Sequence, residues 1–228
     1  MIFRYKWYKV RLPCSVTDFF TRLRANGYKP QNASGFLANE AESSFRYVWT
    51  SIINAIRLDS EGNNEYEKIT TINSQSVTLL GSHPVILRFD NPPRSLRDVL
   101  NALENSTGFG FTCEQVIITD TLVQTALSNA SCKTLNSLKL SGSLPEAESL
   151  ARLELASKTG INAEKIKFLN LGNFSIDAAS YEIIYKGLKG QIGFSRTAAC
   201  KISGPLTPYI LENLENALIL EQIQNTPT

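Results

Sequence analysis

Four stretches of the chain carry helix signals, three of them apolar repeats at helical spacing and one a set of end-marking residues. Val16, Phe19, Phe20 and Leu23 follow the capping candidates Ser15 and Asp18 and precede Asn26-Gly27, a left-handed stop, so a helix is predicted over 16 to 26. Ser95 and Asp98 stand the same way before Leu96, Val99, Leu100 and Leu103, ahead of Gly108, which predicts a second over 95 to 105. Pro145 in a first turn, Glu146 and Glu148 near a positive end, Lys158 near a negative end and Gly160 beyond predict a third over 145 to 158. Thr207-Pro208 opens the last, whose Ile210, Leu211, Leu214 and Leu218 form one apolar stripe to about 222.

Elsewhere the pattern has period two and is rich in β-branched and aromatic residues. Strands are predicted at 2–12, 45–58, 66–73, 76–80, 84–90, 113–123, 135–141, 165–170, 180–186 and 191–202. Turn residues at Glu61 to Asn64, Gly81 to Pro84 and Gly187 to Gly190 join neighbouring runs into hairpins. The Ser/Asn-rich stretches 31–44 and 128–137 are expected to be exposed loops, and Ser128 to Lys133 a domain boundary. The strand Val85 to Phe89, a proline turn and the helix from Leu96 match in order a strand ending at Ile202, Gly204-Pro205 and the helix from Ile210. The expected fold class is therefore α+β, with an N-terminal lobe over 1–127, a C-terminal lobe over 134–223 and a frayed tail over 224–228. Each lobe is a mostly antiparallel sheet with helices on one face, leaving the other free for a partner.

The chain has 228 residues, 43% hydrophobic and 19% charged, which excludes wholesale disorder and fibrous classes and is enough to bury a core without disulfides. No run of 18 apolar residues predicts a spanning helix, and Met1 to Leu12 does not read as a signal peptide, so a soluble cytoplasmic protein with no membrane partner is expected. Cys14, Cys113, Cys132 and Cys200 form no C-x-x-C pair and have only His83 to supplement them, so reduced thiols rather than a metal site are expected. A net charge of +2 requires any basic surface to be local.

The catalytic inventory is thin. His83 lies in a turn with no Ser, Cys or carboxylate at motif spacing, Gly108-Phe109-Gly110 lacks the third glycine of a dinucleotide fingerprint, and the carboxylates are scattered. No cofactor is expected, and the reading leans against an enzyme. Two segments carry more. On an N-terminal strand Phe3, Tyr5 and Trp7 alternate with Arg4, Lys6 and Tyr8, a basic-aromatic mixture that suits single-stranded RNA, where cations meet phosphates and rings stack on bases. A half-buried strand with an aromatic core face is the competing reading. From Tyr181 to Tyr209, Gly187, Gly190 and Gly193 stand among Lys186, Lys189, Arg196 and Lys201, which would make a loose anion cradle or a glycine-relaxed hairpin with solvated lysines. Arg4, Lys6, Trp7, Tyr8, Lys186, Lys189, Gly190, Arg196 and Lys201 are the candidate RNA contacts.

Gly187-x-x-Gly190-x-Ile192-x-Phe194, then Gly204 to Tyr209 and a leucine-bearing helix, resembles the C-terminal part of the CRISPR RNA-processing endoribonucleases of the RAMP superfamily. The similarity covers roughly 40 of the 228 residues and rests on glycines and apolar positions. It implies tandem ferredoxin-like lobes. The chain lacks the family's glycine-rich C-terminal loop and its early histidine, His83 being the first, so the resemblance implies a subunit that binds or braces RNA and protein rather than one that cleaves. Three functions follow as expectations: a non-catalytic RNA-associated subunit of a ribonucleoprotein complex such as a CRISPR effector, a protein-interaction scaffold without nucleic acid, and a metal-independent endoribonuclease using Tyr181, Lys186 or His83.

Overall fold

The computed structural model describes residues 1–58, 60–144, 149–162, 173–197 and 199–224. In chain order the elements are β1 (Ile2–Arg11), α1 (Val16–Ala25), β2 (Ser34–Asn39), β3 (Ser44–Leu58), β4 (Asn64–Leu80), β5 (Val85–Asp90), α2 (Arg97–Thr107) and β6 (Thr112–Gln115). There follow α3 (Asp120–Ala126), β7 (Cys132–Leu144), β8 (Ser149–Ala156), β9 (Asn173–Tyr185), β10 (Leu188–Ser195), β11 (Ala199–Ser203), a 3-10 turn Gly204–Leu206 and α4 (Thr207–Gln224). The class is α+β with mostly antiparallel pairing. No helix among the described residues is long and apolar enough to cross a membrane.

The chain forms two compact units: Met1–Val10, Leu80–Asn91 and Cys113–Thr228 make the first, Arg11–Leu79 and Pro92–Thr112 the second. This division differs from lobes at 1–127 and 134–223, because Ser128 to Lys133 lies inside the first unit and the N-terminal strand belongs with the C-terminal half. The strand–turn–helix similarity is also divided, β5 falling in the first unit and α2 in the second.

In the first unit the strands run in the order β5-β1-β11-β10-β9-β7-β8, with β6 also on β1. Tyr5 and Trp7 of β1, Ile192 and Phe194 of β10, and Tyr181, Ile183 and Tyr185 of β9 are buried together beneath Leu206, Ile210, Leu214, Ala217 and Leu218. The α4 residues recur at i, i+4, i+7 and i+8, the stripe read from the sequence, so the helix is held by burial of that face. Leu122, Val123, Ala126 and Leu127 of α3 and its end join the same core, with the Asn213 side chain donating to Ala126 O at 3.4 Å.

In the second unit β2, β3 and β4 pair antiparallel, and Phe19, Phe20 and Leu23 of α1 with Val99 and Leu103 of α2 are buried with the sheet residues Phe36, Phe45 and Val77. Ser15 caps α1 as predicted, accepting from the Asp18 amide at 3.1 Å. The stop after α1 differs: Asn26 has φ −97°, and Gly27 instead allows close backbone passage, bridging to Phe36. A Cβ on Gly35 would fall 2.5 Å from Tyr28 Cα, so this crossing requires glycine.

Three further expectations are corrected. The helix over 145–158 is a strand in its described part: β8 pairs antiparallel with β7 from Leu144↔Ser149 to Ser137↔Ala156. Ala151, Leu153 and Leu155 are half-buried while Arg152, Glu154 and Ala156 are exposed, so a free ladder edge overrode the local helix signals. The strand over 113–123 breaks into β6 and α3, whose cap is Thr119, accepting from the Leu122 amide at 3.1 Å. The predicted loop 31–44 contains β2. The strand expected over 165–170 lies outside the described residues.

Candidate nucleic-acid interface

Alternation along β1 decides what each candidate can do. Phe3, Tyr5 and Trp7 point toward α4, and Trp7 is 0% exposed, with its Nε1–H donating to Glu215 Oε1 at 3.2 Å. The Trp7 ring is therefore core, and its expected role as a stacking platform for bases is corrected. Around it lies a polar cluster that no sequence motif announces. Arg88 on β5 donates from Nη1 to Glu215 Oε1 at 3.0 Å and from Nε to Asp90 Oδ1 at 2.8 Å, and its guanidinium lies over the Tyr5 ring at 5.8 Å. Burial pushes the Glu215 carboxyl above the usual range, outweighing the pull of Arg88. For Arg88 burial acts to lower its affinity for the proton, but Glu215 and Asp90 more than offset this and hold it charged. One cation in the apolar strand Val85–Asp90 was the legible hint.

The other side of β1 carries Arg4, Lys6 and Tyr8. Tyr8 is half-buried, set edge-on to Phe89 at 5.4 Å and 77°, and its phenol is raised by burial and then by Cys113. Lys6 is half-buried opposite Phe89 and Ala199. Arg4 is exposed and stands directly across from exposed Lys201 on β11, which in turn faces Gly193 on β10. A Cβ at Gly193 would meet nothing nearer than 3.9 Å, so the glycine leaves backbone accessible beside the two cations. The Arg4 amide and carbonyl are fixed by Asn91, whose Oδ1 accepts from Arg4 N at 3.0 Å and whose N donates to Arg4 O at 2.6 Å.

Lys189 lies on the same side of β10 as Gly193, but its Nζ is paired with Glu182 Oε1 at 2.9 Å. Lys186 belongs elsewhere. It forms a two-residue hairpin turn with Gly187, at φ +48° and +78°, and its Nζ sits 4.7 Å from the Tyr209 ring centroid. Arg196, at the end of β10, donates from Nη1 to Ser175 Oγ at 3.3 Å and borders a cavity of about 270 Å³ with Ile117 and Phe194.

The anion cradle is corrected. Gly190 turns inward, where a Cβ would come 2.6 Å from Leu206 Cδ1 and 2.9 Å from Ser203 Cβ, so its missing side chain makes room for packing. The neighbouring Gln191 amide is already used, donating to Ser203 Oγ at 2.8 Å. Of nine candidates, the structure thus brings Arg4 and Lys201 into direct cross-strand register, with Lys189 on the same face.

For the nuclease alternative, Tyr181 is buried among apolar residues and His83 is exposed in the turn before β5. No group of three metal-ligating side chains occurs among the described residues. Burial pushes the Cys113 thiol up to about 12 and raises Cys200 as well, which suppresses thiolate chemistry at both. No protein-family model matches this chain, and no curated protein matches it in sequence.

Proposed function

We propose that the chain is a non-catalytic RNA-associated subunit of a cytoplasmic ribonucleoprotein complex, of which CRISPR effectors are one kind. The observation that carries this reading is the Arg4–Lys201 pair beside Gly193 on the sheet face turned away from α4. Two cations about one strand spacing apart, neither in an ion pair among the described residues, suit successive phosphates of an extended strand. The similarity of 187–209 to RAMP proteins supports it, and we read the sheet units as ferredoxin-like lobes on the same ground. Four free thiols suit a reducing compartment. Fluorescence anisotropy with single-stranded RNA over a salt series tests the reading. Arg4→Glu with Lys201→Glu is expected to weaken binding more than tenfold and to shallow the salt slope by about 0.7 for each phosphate no longer neutralised. Equal binding by native and variant protein would refute it.

A second reading, a protein-interaction scaffold, is favoured by the ribbon of β3 and β4. Ile52, Ile56, Leu58, Tyr66 and Ile72 share one exposed side of it, and Ile53 and Ile69 are opposed on the other. Such a row of exposed apolar residues is a docking feature in a folded protein. A stoichiometric protein partner that resists nuclease and is lost with Ile52→Asp and Ile56→Asp would support this reading, and the two readings are compatible within one complex.

A further inference from the structure

The second unit contains a cavity of about 680 Å³ that none of the readings above uses. Its back wall is the end of an aromatic ladder. Phe19 meets Phe45 at 5.9 Å, Phe45 meets Phe36 at 5.8 Å, Phe36 meets Tyr47 at 5.0 Å, and Tyr47 meets Trp49 at 5.5 Å with ring planes 21° apart. The ladder starts in the core and ends at Trp49, which is half-buried and lines the cavity. Each ring has a neighbour on the core side, and at Trp49 the stack reaches open space.

One side of α2 lines the same cavity. Asp98, Asn101, Ala102 and Asn105 recur at helical spacing and line the cavity, while Val99 and Leu103 on the other side are buried. The carboxamides of Asn101 and Asn105 engage no partner within the protein among the described residues, which leaves two donors and an acceptor on each. Lys29 stands on the lining as its cation. Gly27 and Gly35 also line the cavity, at the crossing where a Cβ on either would press on backbone.

We infer that this groove accepts one unpaired nucleobase of an RNA strand, stacked on Trp49, with its edge read by Asn101 and Asn105 and its phosphate near Lys29. An aromatic platform and free carboxamides lining one groove match a base, which has a π-face and an edge of mixed donors and acceptors. The assignment rests on the RNA reading for the identity of the strand, and it concerns a different unit from Arg4 and Lys201.

Trp7 is buried and Trp49 is not, so tryptophan fluorescence reports on the groove. The native chain is titrated with AMP, GMP, CMP and UMP, with a neutral trisaccharide and ribose 5-phosphate as controls, and binding is measured in parallel by equilibrium dialysis. Saturable quenching by at least one nucleotide and by neither control is expected. Trp49→Ala and the pair Asn101→Ala with Asn105→Ala should each weaken dialysis-measured binding about tenfold, as removal of one stack or of the edge hydrogen bonds does, whereas Trp49→Phe should retain it. Arg4→Glu with Lys201→Glu should leave mononucleotide binding unchanged while weakening the RNA strand. Strand binding without any mononucleotide binding overturns the groove and spares the sheet face. Mononucleotide binding in the native chain with strand affinity unaltered in the Arg4/Lys201 variant spares the groove and overturns the sheet face. Saturation by the trisaccharide alone, or nucleotide affinity unaltered in the Asn101/Asn105 variant, overturns the groove.

Discussion

The two tryptophans define two kinds of sheet. In the first unit Trp7 lies wholly inside, bonded to Glu215 of α4, and the opposite face presents cations with the half-buried Tyr8 as its nearby ring. In the second, Trp49 ends a ladder of rings at an open groove whose lining carries the single lysine Lys29. The basic-aromatic face suggested for the N-terminal strand thus keeps Arg4, Lys6 and a half-buried Tyr8 together, while Trp7 goes to the core and the ring that borders open space, Trp49, lies in the other unit. A strand covered by a helix gives its rings to the core, because burying a large ring is worth more than leaving it wet. Trp49, the last ring of its row, is only half-buried.

This contrast is breakable, most severely at the tryptophans themselves. Trp7→Ala is expected to destabilise the protein by about 3 to 5 kcal/mol in urea unfolding, and Trp49→Ala by only about 1 kcal/mol. Equal losses would mean that both rings are core.

The cluster under α4 gives the next largest effect. Glu215→Ala leaves Arg88 buried without its main partner and should cost about 3 kcal/mol. The native Glu215 has a raised carboxyl, so its protonated form is favoured by the fold. The associated stability is full below the ordinary carboxylate range and is lost as pH rises through the raised value. Glu215→Gln should flatten that part of the stability–pH profile, and an unchanged profile would place the titration on another group.

Glycines sharpen the picture within the first unit. Gly190→Ala should destabilise by about 1 to 3 kcal/mol through its clash with Leu206, whereas Gly193→Ala, with nothing nearer than 3.9 Å, should change thermal unfolding little. The reverse order would put the open backbone at Gly190. The smallest effect is expected on the ribbon of the second unit, where Ile52→Asp with Ile56→Asp should alter folding stability by about 0.5 kcal/mol or less, both side chains being exposed.

Much of the local structure was legible. Ser15 and the Val16 to Leu23 repeat specify α1, the stripe from Ile210 to Leu218 specifies α4, and the paired apolar runs around Gly62 and Gly187 specify hairpins. The segment Ser149–Ala156 reads as helix because Pro145, Glu146, Glu148, Lys158 and Gly160 mark helix ends around it, and pairing with β7 selected the strand. At the candidate interface, alternation placed Arg4 opposite in sense to Trp7, but only the register of β1 on β11 brought Lys201 beside it, 197 positions along the chain by residue number. The Trp49 groove has no sequence signature because its parts, Lys29, Trp49 and Asn101, belong to three separate elements or connections.

The sequence by itself determined the element types wherever one period dominated, the inward and outward sense of side chains on each strand, and the positions of turns. Those properties depend on residues a few places apart. Tertiary structure decided which strands became neighbours, that β1 joins the C-terminal half, that Gly190 makes room for Leu206, and that Trp49 and the Arg4–Lys201 pair fall in different units. Such choices depend on contacts between residues distant in the chain, where the free energy of burial and ladder pairing exceeds the local preferences it overrides.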